Sequence, residues 1–280
     1  MNRKEIAADT LRIQRQGFYE FEGRRVDFAA VQKRSEEGSE LITPGQGAEL
    51  VKTYRMQPRS QQAAKYSVAN EATVKAILDF AAAGQDRVGV LNFASAKNPG
   101  GGFLNGAMAQ EESLAASSGL YETQLRNEGY YAANRAYRSM MYTDHAIYSP
   151  DVVFFRDERF NLLERPVTAS VLTLPAVNYG QVLLKGEDPE EAKRVMKDRM
   201  RLSLAIFASK GDTHLILGAY GCGVFRNDPV EVARWWRELL DDEGWGSLFM
   251  EIRFAVLDSS KDGKCIRAFE HAFHDLNANG

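Results

Sequence analysis

The chain has 280 residues, of which 44% are hydrophobic and 26% are charged, and its formal net charge at pH 7 is −3. This composition is typical of a globular protein, and the length allows one large α/β domain or two small ones. The slightly acidic balance argues against binding duplex DNA by phosphate neutralisation, so no direct duplex contact is expected.

Three features of the sequence bear on its compartment. The two cysteines, Cys222 and Cys265, are too few for a disulfide framework or a cysteine metal cluster. No apolar run approaches the roughly 18 residues of a membrane span. Residues 1–10 lack the apolar core of a signal peptide. We therefore expect a cytoplasmic protein without membrane contact.

Residues 1–62 are predicted to form an N-terminal extension that packs on the main domain. Apolar residues at helical spacing predict a helix over 3–16. Two short segments around a central Glu-Gly pair predict a hairpin over 18–28. A further helix is predicted over 29–37. The Gly, Pro, Gln and Ser content of 38–62 predicts an irregular connection.

From residue 63 to residue 280, helical and strand patterns alternate. In chain order we predict a helix over 70–83, a strand over 88–93, helices over 109–125 and 130–141, strands over 152–155 and 167–174, a helix from 188, a strand over 214–217, a helix from 228, a strand over 249–257, and a final helix striped by Ile266, Phe269, Phe273 and Leu276. This alternation predicts a three-layer α/β/α domain. Asp188 and Asp228 are the predicted N-caps of two of its helices.

A glycine-rich loop follows the predicted strand over 88–93. The three glycines at 100–102 carry no Cβ, can adopt positive φ, and let a ligand approach the backbone closely. Their N–H groups can form an anion-binding concavity. The sequence Gln-Glu-Glu at 110–112 falls in the first turn of the next helix. Because adjacent helical residues point about 100° apart, we expect the two glutamates to have different roles.

A second glycine-rich loop, at 218–225, separates the strand over 214–217 from the helix that begins at 228. It lacks the Gly-Lys-Ser/Thr ending of a P-loop and the spacing of a dinucleotide fingerprint, which disfavours both functions. Its backbone amides are predicted to cradle a diphosphate. Because both loops follow strands, we expect them at the same edge of the sheet, where they could hold one ligand between them.

Each motif also has an ordinary structural explanation. Three glycines form flexible turns, and a glutamate at a helix N-terminus complements the helix dipole. The coincidence of the two within one short segment favours a functional site. Cys222 is disfavoured as a nucleophile because no histidine lies near it in sequence. His271 and His274 share a helix face, but without a third ligand a metal site is disfavoured.

The spacing of these motifs is similar to that of a known family. Three glycines, seven further residues and then Gln-Glu-Glu resemble the signature of the poly(ADP-ribose) glycohydrolases. The flanking residues 91–103 and the loop 218–225 look like the bacterial branch, and the resemblance covers roughly residue 67 to the C-terminus. It implies a macrodomain with a mixed central sheet. The implied reaction is hydrolysis of ribose–ribose bonds in poly(ADP-ribose) chains on modified proteins, which releases ADP-ribose without a metal or cofactor.

The resemblance also implies roles for individual residues. Glu112 is the general acid and then the base that activates water, and Glu111 hydrogen-bonds ribose hydroxyls. A bound diphosphate and Glu111 would favour the protonated form of Glu112, whereas the helix N-terminus opposes it; we expect burial under the ligand to prevail. The substrate-binding residues implied are Asn98, Gly100, Gly101, Gly102, Gln110, Gly218, Gly221, Cys222, Gly223, Val224 and Phe225. Among these, Gln110 supports the loop or the ligand, and Phe225 packs near the distal ribose.

Two other functions stay open on the sequence. A non-catalytic ADP-ribose reader with the same fold would not need the acid at 112, so the intact Gln-Glu-Glu argues against it. A metal-dependent nucleotide-sugar phosphohydrolase would need a ligand cluster or a Lys/Arg clamp, and neither is evident.

Overall fold

The computed structural model describes residues 2–57 and 64–275 of the chain. The strands are β1 Phe18–Phe21, β2 Arg24–Asp27, β3 Glu40–Ile42, β4 Lys65–Ala69, β5 Val88–Phe93, β6 Ala146–Arg156, β7 Leu162–Leu174, β8 His214–Leu217 and β9 Glu251–Ala255. The helices are α1 Arg3–Gln16, α2 Ala29–Gly38, α3 Pro44–Arg55, α4 Thr73–Ala82, α5 Gln110–Ser117, α6 Leu120–Leu125, α7 Glu128–Ala136, α8 Tyr179–Leu184, α9 Pro189–Lys210, α10 Pro229–Arg237 and α11 Lys264–Phe273. The predicted boundary between residues 62 and 63, and the predicted helical position of Leu276, lie outside the described residues.

A seven-stranded mixed sheet forms the centre of the fold, in the order β3-β6-β7-β5-β8-β9-β4. The strands from β7 to β4 run parallel, whereas β6 is antiparallel to both β7 and β3. The central neighbours β5 and β8 each lead into one of the two glycine-rich loops. Since these strands are parallel, both loops emerge at the same edge of the sheet, as predicted.

Separate apolar cores cover the two faces of the sheet, because side chains alternate along the strands. On one face, Leu215 and Leu217 of β8 pack in a core with Trp236 of α10. On the other face, Ile216 packs in a core with Ile77 of α4 and Leu114 of α5. The three-layer α/β/α arrangement with a mixed central sheet is confirmed.

Local signals predicted several elements closely. Helix α1, the β1–β2 hairpin and strand β8 lie where the sequence placed them. Asp188 and Asp228 are N-caps, with side chains that accept hydrogen bonds from backbone N–H groups in the first turns of α9 and α10. A capping side chain satisfies N–H groups that have no partner inside the helix. Because the cap is adjacent in sequence to the helix that it starts, a capping aspartate can be recognised from the local sequence.

The prediction of an irregular connection over 38–62 is wrong for its described part. Strand β3 pairs with β6 at the edge of the main sheet, and α3 follows directly. The overlooked signal is a capping box: Thr43 N–H donates to Gln46 Oε1 at 2.8 Å, and Gln46 N–H donates to Thr43 Oγ1 at 3.4 Å. Pro44 occupies the first turn, where its missing N–H costs nothing.

The predicted single helix over 109–125 is two helices. Helix α5 ends at Ser117, and α6 begins at Leu120. Between them, Ser118 forms a β-bridge with Phe154, and Gly119 N–H donates to Val153 O at 2.9 Å. These bonds to β6 break the helical ladder and redirect the chain.

Other elements differ in extent or were not predicted. The helices predicted over 70–83 and 130–141 are shorter, as α4 and α7, whereas the strands predicted over 152–155 and 167–174 are longer, as β6 and β7. Strand β4 and helix α8 were not predicted. In the part of the chain that the structure describes, every helix is too short or too polar to cross a lipid bilayer.

A buried acid at the opposite end of β8 makes the stability of the fold depend on pH. Asp212 is 4% exposed and accepts a hydrogen bond from Tyr148 Oη at 2.9 Å. Burial raises the pKa of Asp212 to about 7, above its ordinary value of 3.8. The folded state disfavours the ionised form of Asp212. The free energy of unfolding therefore falls as the pH rises from the pKa of Asp212 in the unfolded chain to its pKa in the folded protein.

We therefore expect Asp212→Asn to become more stable than the wild type as the pH rises from 4 to 7. The amide keeps an acceptor for Tyr148, and the gain in Tm should reach at least about 4 °C. Scanning fluorimetry at closely spaced pH values measures it. Asp86→Asn, an exposed acid in the turn before β5, is the control. A Tm difference that is the same at pH 4 and pH 8 would contradict the prediction.

Candidate active site

A cavity of about 1060 Å³ opens at the sheet edge where β5 and β8 end. Its lining includes Gly101 and Gly102 of the first glycine-rich loop, the second loop over 221–225, and the start of α5 over 110–112. A further wall is formed by the residues that follow β9. The two loops thus face one cavity of the size that nucleotide-like ligands occupy.

Glu111 is the buried member of the carboxylate pair, with 2% of its surface exposed. Its Oε2 accepts a hydrogen bond from Ser95 N–H at 2.7 Å. Its Oε1 accepts from Asn92 Nδ2 at 3.1 Å and from Gln124 Nε2 at 3.0 Å. Burial raises the pKa of Glu111 to about 8, and these three N–H donors oppose that rise by favouring the carboxylate.

Glu112 connects the first glycine-rich loop to the start of α5. Its Oε1 accepts a hydrogen bond from Gly102 N–H at 2.8 Å, and its Oε2 accepts from Ala109 N–H at 3.1 Å. The N-cap position is held by Ala109, which has no side-chain acceptor, so Glu112 satisfies one of the N–H groups that a helix start leaves unpaired. The same carboxylate lines the cavity.

Gln110 ties α5 to the end of β5. Its Oε1 accepts from Phe93 N–H at 2.8 Å, and its Nε2 donates to Leu91 O at 2.8 Å. The Gln110 amide thus satisfies two backbone groups of β5 in the way that a neighbouring strand would. This geometry agrees with a role in supporting the loop, while a direct contact with ligand stays a prediction.

The first loop has little room for side chains. Gly101 has a φ of +59°, and a Cβ there would collide with Glu112 Oε1 and lie 3.0 Å from Glu111 Oε2. Gly100 has a φ of +64° and packs behind the loop, where a Cβ would be 3.1 Å from the Tyr121 ring. The glycines therefore allow two carboxylates to close on the loop backbone.

The N–H groups of the first loop are largely used within the protein. Gly101 N–H donates to Asn98 O at 3.0 Å, and Gly102 N–H donates to Glu112. Asn98 lines the cavity, with its own N–H donated to Ser95 Oγ at 3.1 Å. An anion at Gly101 or Gly102 would therefore meet N–H groups that already have acceptors.

The second loop offers more open donors. Within the described residues, the N–H groups of Gly221, Gly223, Val224 and Phe225 have no hydrogen-bond partner. No atom of the described residues outside its two chain neighbours lies within 4 Å of the position that a Cβ would take at Gly223. Such a run of unpaired N–H groups at one cavity wall can receive an anion.

Asn227 holds this second loop in shape. Its Nδ2 donates to Gly221 O at 2.9 Å and to Val177 O at 2.8 Å. Gly221 has a φ of +71°, and a Cβ there would approach the Asn227 amide to 2.6 Å.

Phe225 lies beside Tyr142, with ring centroids 6.0 Å apart.

The sequence singled out two other residues in this loop, and the structure places them differently: Gly218 has contacts behind the cavity wall, whereas Cys222 lines the cavity. Gly218 approaches β9, where a Cβ would lie 2.6 Å from Ala255 O, and its carbonyl accepts from Trp236 Nε1 at 3.1 Å. Cys222 lines the cavity together with Cys265 of α11. Binding of substrate by Gly218 and Cys222 stays a prediction.

Sequence reasoning missed the side chains behind Glu111, namely Asn92, Gln124 and Thr173. Asn92 carried a usable signal, because it is a lone amide in an otherwise apolar buried strand. Gln124 and Thr173 come from α6 and β7, distant from Glu111 in sequence, and nothing local marks them.

Known proteins match both the sequence and this architecture. Residues 7–157 match the family described as microbial-type PARG, catalytic domain, where PARG stands for poly(ADP-ribose) glycohydrolase. The chain belongs to the microbial-type PARG family. That match includes the first glycine-rich loop and both glutamates. No curated protein matches the chain.

Solved PARG structures match nearly the whole fold. The chain is 38% identical to PARG from Thermomonospora curvata, with a TM-score of 0.92 over 97% of this chain and 99% of that one. A complex of the same protein with the inhibitor ADP-HPD gives 38% identity and a TM-score of 0.90, with the same coverage. PARG from Deinococcus radiodurans in complex with ADP-ribose gives 42% identity and a TM-score of 0.84 over 90% of this chain and 100% of that one.

These matches confirm the family resemblance and the macrodomain-type fold. They also extend the resemblance, which the sequence motifs placed from about residue 67 onwards. The family match begins at residue 7, and the Thermomonospora curvata structure covers 97% of the chain. The N-terminal segment is therefore part of the microbial-type PARG architecture.

The position of Gly101 between the two carboxylates can be tested directly. We expect Gly101→Ala to lower kcat/KM on poly(ADP-ribose) by at least about 100-fold, because the new methyl group displaces Glu112. The measurement is initial-rate kinetics together with Tm.

The matched control is Gly84→Ala. Gly84 follows α4 and has a similar φ of +72°, but no neighbouring atom of the described residues lies within 4 Å of its Cβ position. Both variants carry the strain of positive φ, and only Gly101→Ala crowds the carboxylates. Equal losses of activity in the two variants would mean that strain, and not displacement of Glu112, is responsible.

Proposed function

We propose that this protein is a poly(ADP-ribose) glycohydrolase that hydrolyses ribose–ribose bonds and releases ADP-ribose. One observation carries the proposal: two adjacent glutamates at the start of α5 line the same cavity as a loop with unpaired N–H groups. Family membership and the ADP-ribose and ADP-HPD complexes of relatives support the same reaction and ligand.

In this proposal the second glycine-rich loop is the principal diphosphate site. Among the residues that the structure describes, the N–H groups of Gly221, Gly223, Val224 and Phe225 have no acceptor, so in this proposal they donate to phosphate oxygens. The first loop, where the N–H groups of Gly101 and Gly102 already have protein acceptors, contributes close backbone approach instead. Phe225 packs against the distal ribose, which the diphosphate holds beside Glu111 and Glu112.

Glu112 is the proposed general acid and base. It protonates the leaving ribose oxygen as the bond to the anomeric carbon breaks and an oxocarbenium-like centre forms. Water then attacks that carbon and returns a proton to Glu112. Each carboxyl oxygen has a second lone pair, so Glu112 can keep its bonds to Gly102 and Ala109 and still carry a proton towards the cavity.

Glu111 is proposed to bind the ribose hydroxyls and orient the sugar. Its Oε2 lies at the loop side, 3.0 Å from the Gly101 Cβ position, whereas its Oε1 is bonded to two interior amides. An oriented sugar places the anomeric carbon at Glu112, which lowers the entropic part of the barrier. In this proposal the reaction proceeds without a metal ion.

The two rival functions make different predictions. A reader would bind ADP-ribose without turnover. A metal-dependent phosphohydrolase would cut at a phosphate and give AMP-containing products. Within residues 2–57 and 64–275, no group of three or more His, Cys, Asp or Glu side chains is placed to hold a metal. Product identity and sensitivity to EDTA distinguish all three.

We expect Glu112→Gln to abolish turnover while preserving ligand binding. Incubation with automodified, poly(ADP-ribosyl)ated protein should give free ADP-ribose with the wild type, whether or not EDTA is present. The variant should be slower by about 10³-fold or more, since it cannot transfer a proton. Calorimetry should give an ADP-ribose Kd within about threefold of the wild-type value, because uncharged Gln keeps the size of Glu.

Glu128→Gln is the control. It removes an exposed carboxylate at the start of α7 that pairs with Arg135 of the same helix. It should retain the wild-type rate. A near-native rate for Glu112→Gln would overturn the assignment of the acid. Binding without release by the wild type would favour a reader, and EDTA-sensitive release of AMP-containing products would favour the phosphohydrolase.

A further inference from the structure

Three interior side chains surround the inner oxygen of Glu111, and we call them the Glu111 clamp: Asn92 of β5, Gln124 of α6 and Thr173 of β7. Asn92 Nδ2 and Gln124 Nε2 donate to Glu111 Oε1 at 3.1 Å and 3.0 Å. The same two nitrogens also donate to Thr173 Oγ1, at 3.1 Å and 3.3 Å. The hydroxyl thereby orients both amides with their N–H groups towards Glu111.

The clamp is fully enclosed. Each of its three side chains is 0% exposed, and Glu111 is 2% exposed. The donors come from a central strand and from the helix that restarts after the break at Ser118 and Gly119. The carboxylate is therefore fixed by rigid elements that approach it from different directions.

This polar network does not have the arrangement expected if stability alone were optimised. The carbonyl oxygens Asn92 Oδ1 and Gln124 Oε1 are buried without a hydrogen-bond partner among the described residues. Buried polar groups without partners are costly, and apolar side chains would fill the same space at less cost. What the network does provide is two N–H groups aimed at one carboxylate oxygen.

We propose that Gln124 and Asn92 are positioning residues for the reaction, and that Thr173 orients their amides. They hold Glu111 Oε1 inwards, which leaves Oε2 as the oxygen that meets the ribose hydroxyls. The proposal rests on the proposed function, since it assigns the support for a residue of that same site. It requires no contact between the clamp and the substrate.

The clamp also affects the protonation of Glu111. The titratable groups that face Glu111 are Glu112 on its own helix and Tyr130 and Tyr131 of α7. Burial raises the pKa of both tyrosines well above 10, so they stay neutral near pH 8. Because an N–H donor stabilises the carboxylate, loss of a clamp donor moves the titration of Glu111 to higher pH.

The test is Gln124→Met, which keeps the length of the side chain and removes the N–H donor. We expect kcat/KM for ADP-ribose release to fall roughly tenfold to a hundredfold, the range for loss of a hydrogen bond to a charged group. The fall should lie mainly in kcat. The limb of the pH–rate profile that belongs to Glu111 should move to higher pH. Thr173→Val should shift both quantities in the same direction but less.

Ser149→Ala is the matched control. Ser149 is buried on β6 and shares a 2.7 Å hydrogen bond with Thr123, the neighbour of Gln124 on α6. This variant removes a buried hydrogen bond from the same helix without touching Glu111. It should lose some Tm and keep the wild-type pH profile.

A second readout needs neither substrate nor turnover. The carboxyl infrared band of Glu111, identified by its loss in Glu111→Gln, gives the midpoint of the titration in the free protein. We expect a higher midpoint in Gln124→Met and Thr173→Val and an unchanged one in Ser149→Ala. If both variants keep the wild-type midpoint and kcat/KM within twofold, the clamp has no positioning role. If the wild type releases no ADP-ribose, the proposed function fails, and the infrared midpoints alone then decide whether the clamp acts on Glu111.

Discussion

Backbone N–H groups hold the two carboxylates of α5 against the first glycine-rich loop, and the rest of the site depends on this packing. Ser95 N–H binds Glu111, while Gly102 N–H and Ala109 N–H bind Glu112. The loop reaches these oxygens only because Gly101 has no side chain. The end of β5, the loop and the start of α5 therefore form one unit whose geometry is set by hydrogen bonds of the main chain.

Adjacent positions on one helix give the two carboxylates contrasting environments. Glu111 faces the interior, where burial favours its neutral form and three N–H donors favour its charged form. Glu112 faces the loop and the cavity. The proposed division of tasks, in which one carboxylate orients a sugar and the other transfers a proton, rests on this difference in environment.

The N-terminal segment supports this unit from behind. Thr10 Oγ1 of α1 donates to Ala116 O of α5 at 2.7 Å. Arg156, buried at the end of β6, bonds both Thr10 and Asp9 and so ties α1 to the central sheet. Helix α1 thus braces the helix that carries the glutamates. This contact gives a physical reason why the family similarity begins near the start of the chain.

The sequence by itself determined those features that follow from local chemistry. Helix periodicity, N-capping aspartates and the Glu-Gly turn located α1, α9, α10 and the β1–β2 hairpin. The order of strands and glycine-rich loops predicted the layered fold and the shared sheet edge. The three glycines with Gln-Glu-Glu indicated the family and the residues at the centre of the site.

Tertiary structure alone decided what depends on residues distant in sequence. Residues 40–42 form strand β3 because they pair with β6 at the edge of the sheet. Helix α5 ends before α6 begins because Ser118 and Gly119 pair with β6 as well. The sequence placed two glutamates in one helical turn, but it could not say which of them is buried. That outcome depends on Asn92, Gln124 and Thr173, which meet at Glu111 only when β5, β7 and α6 have packed together, since hydrogen bonds and burial act over distances in space and not along the chain.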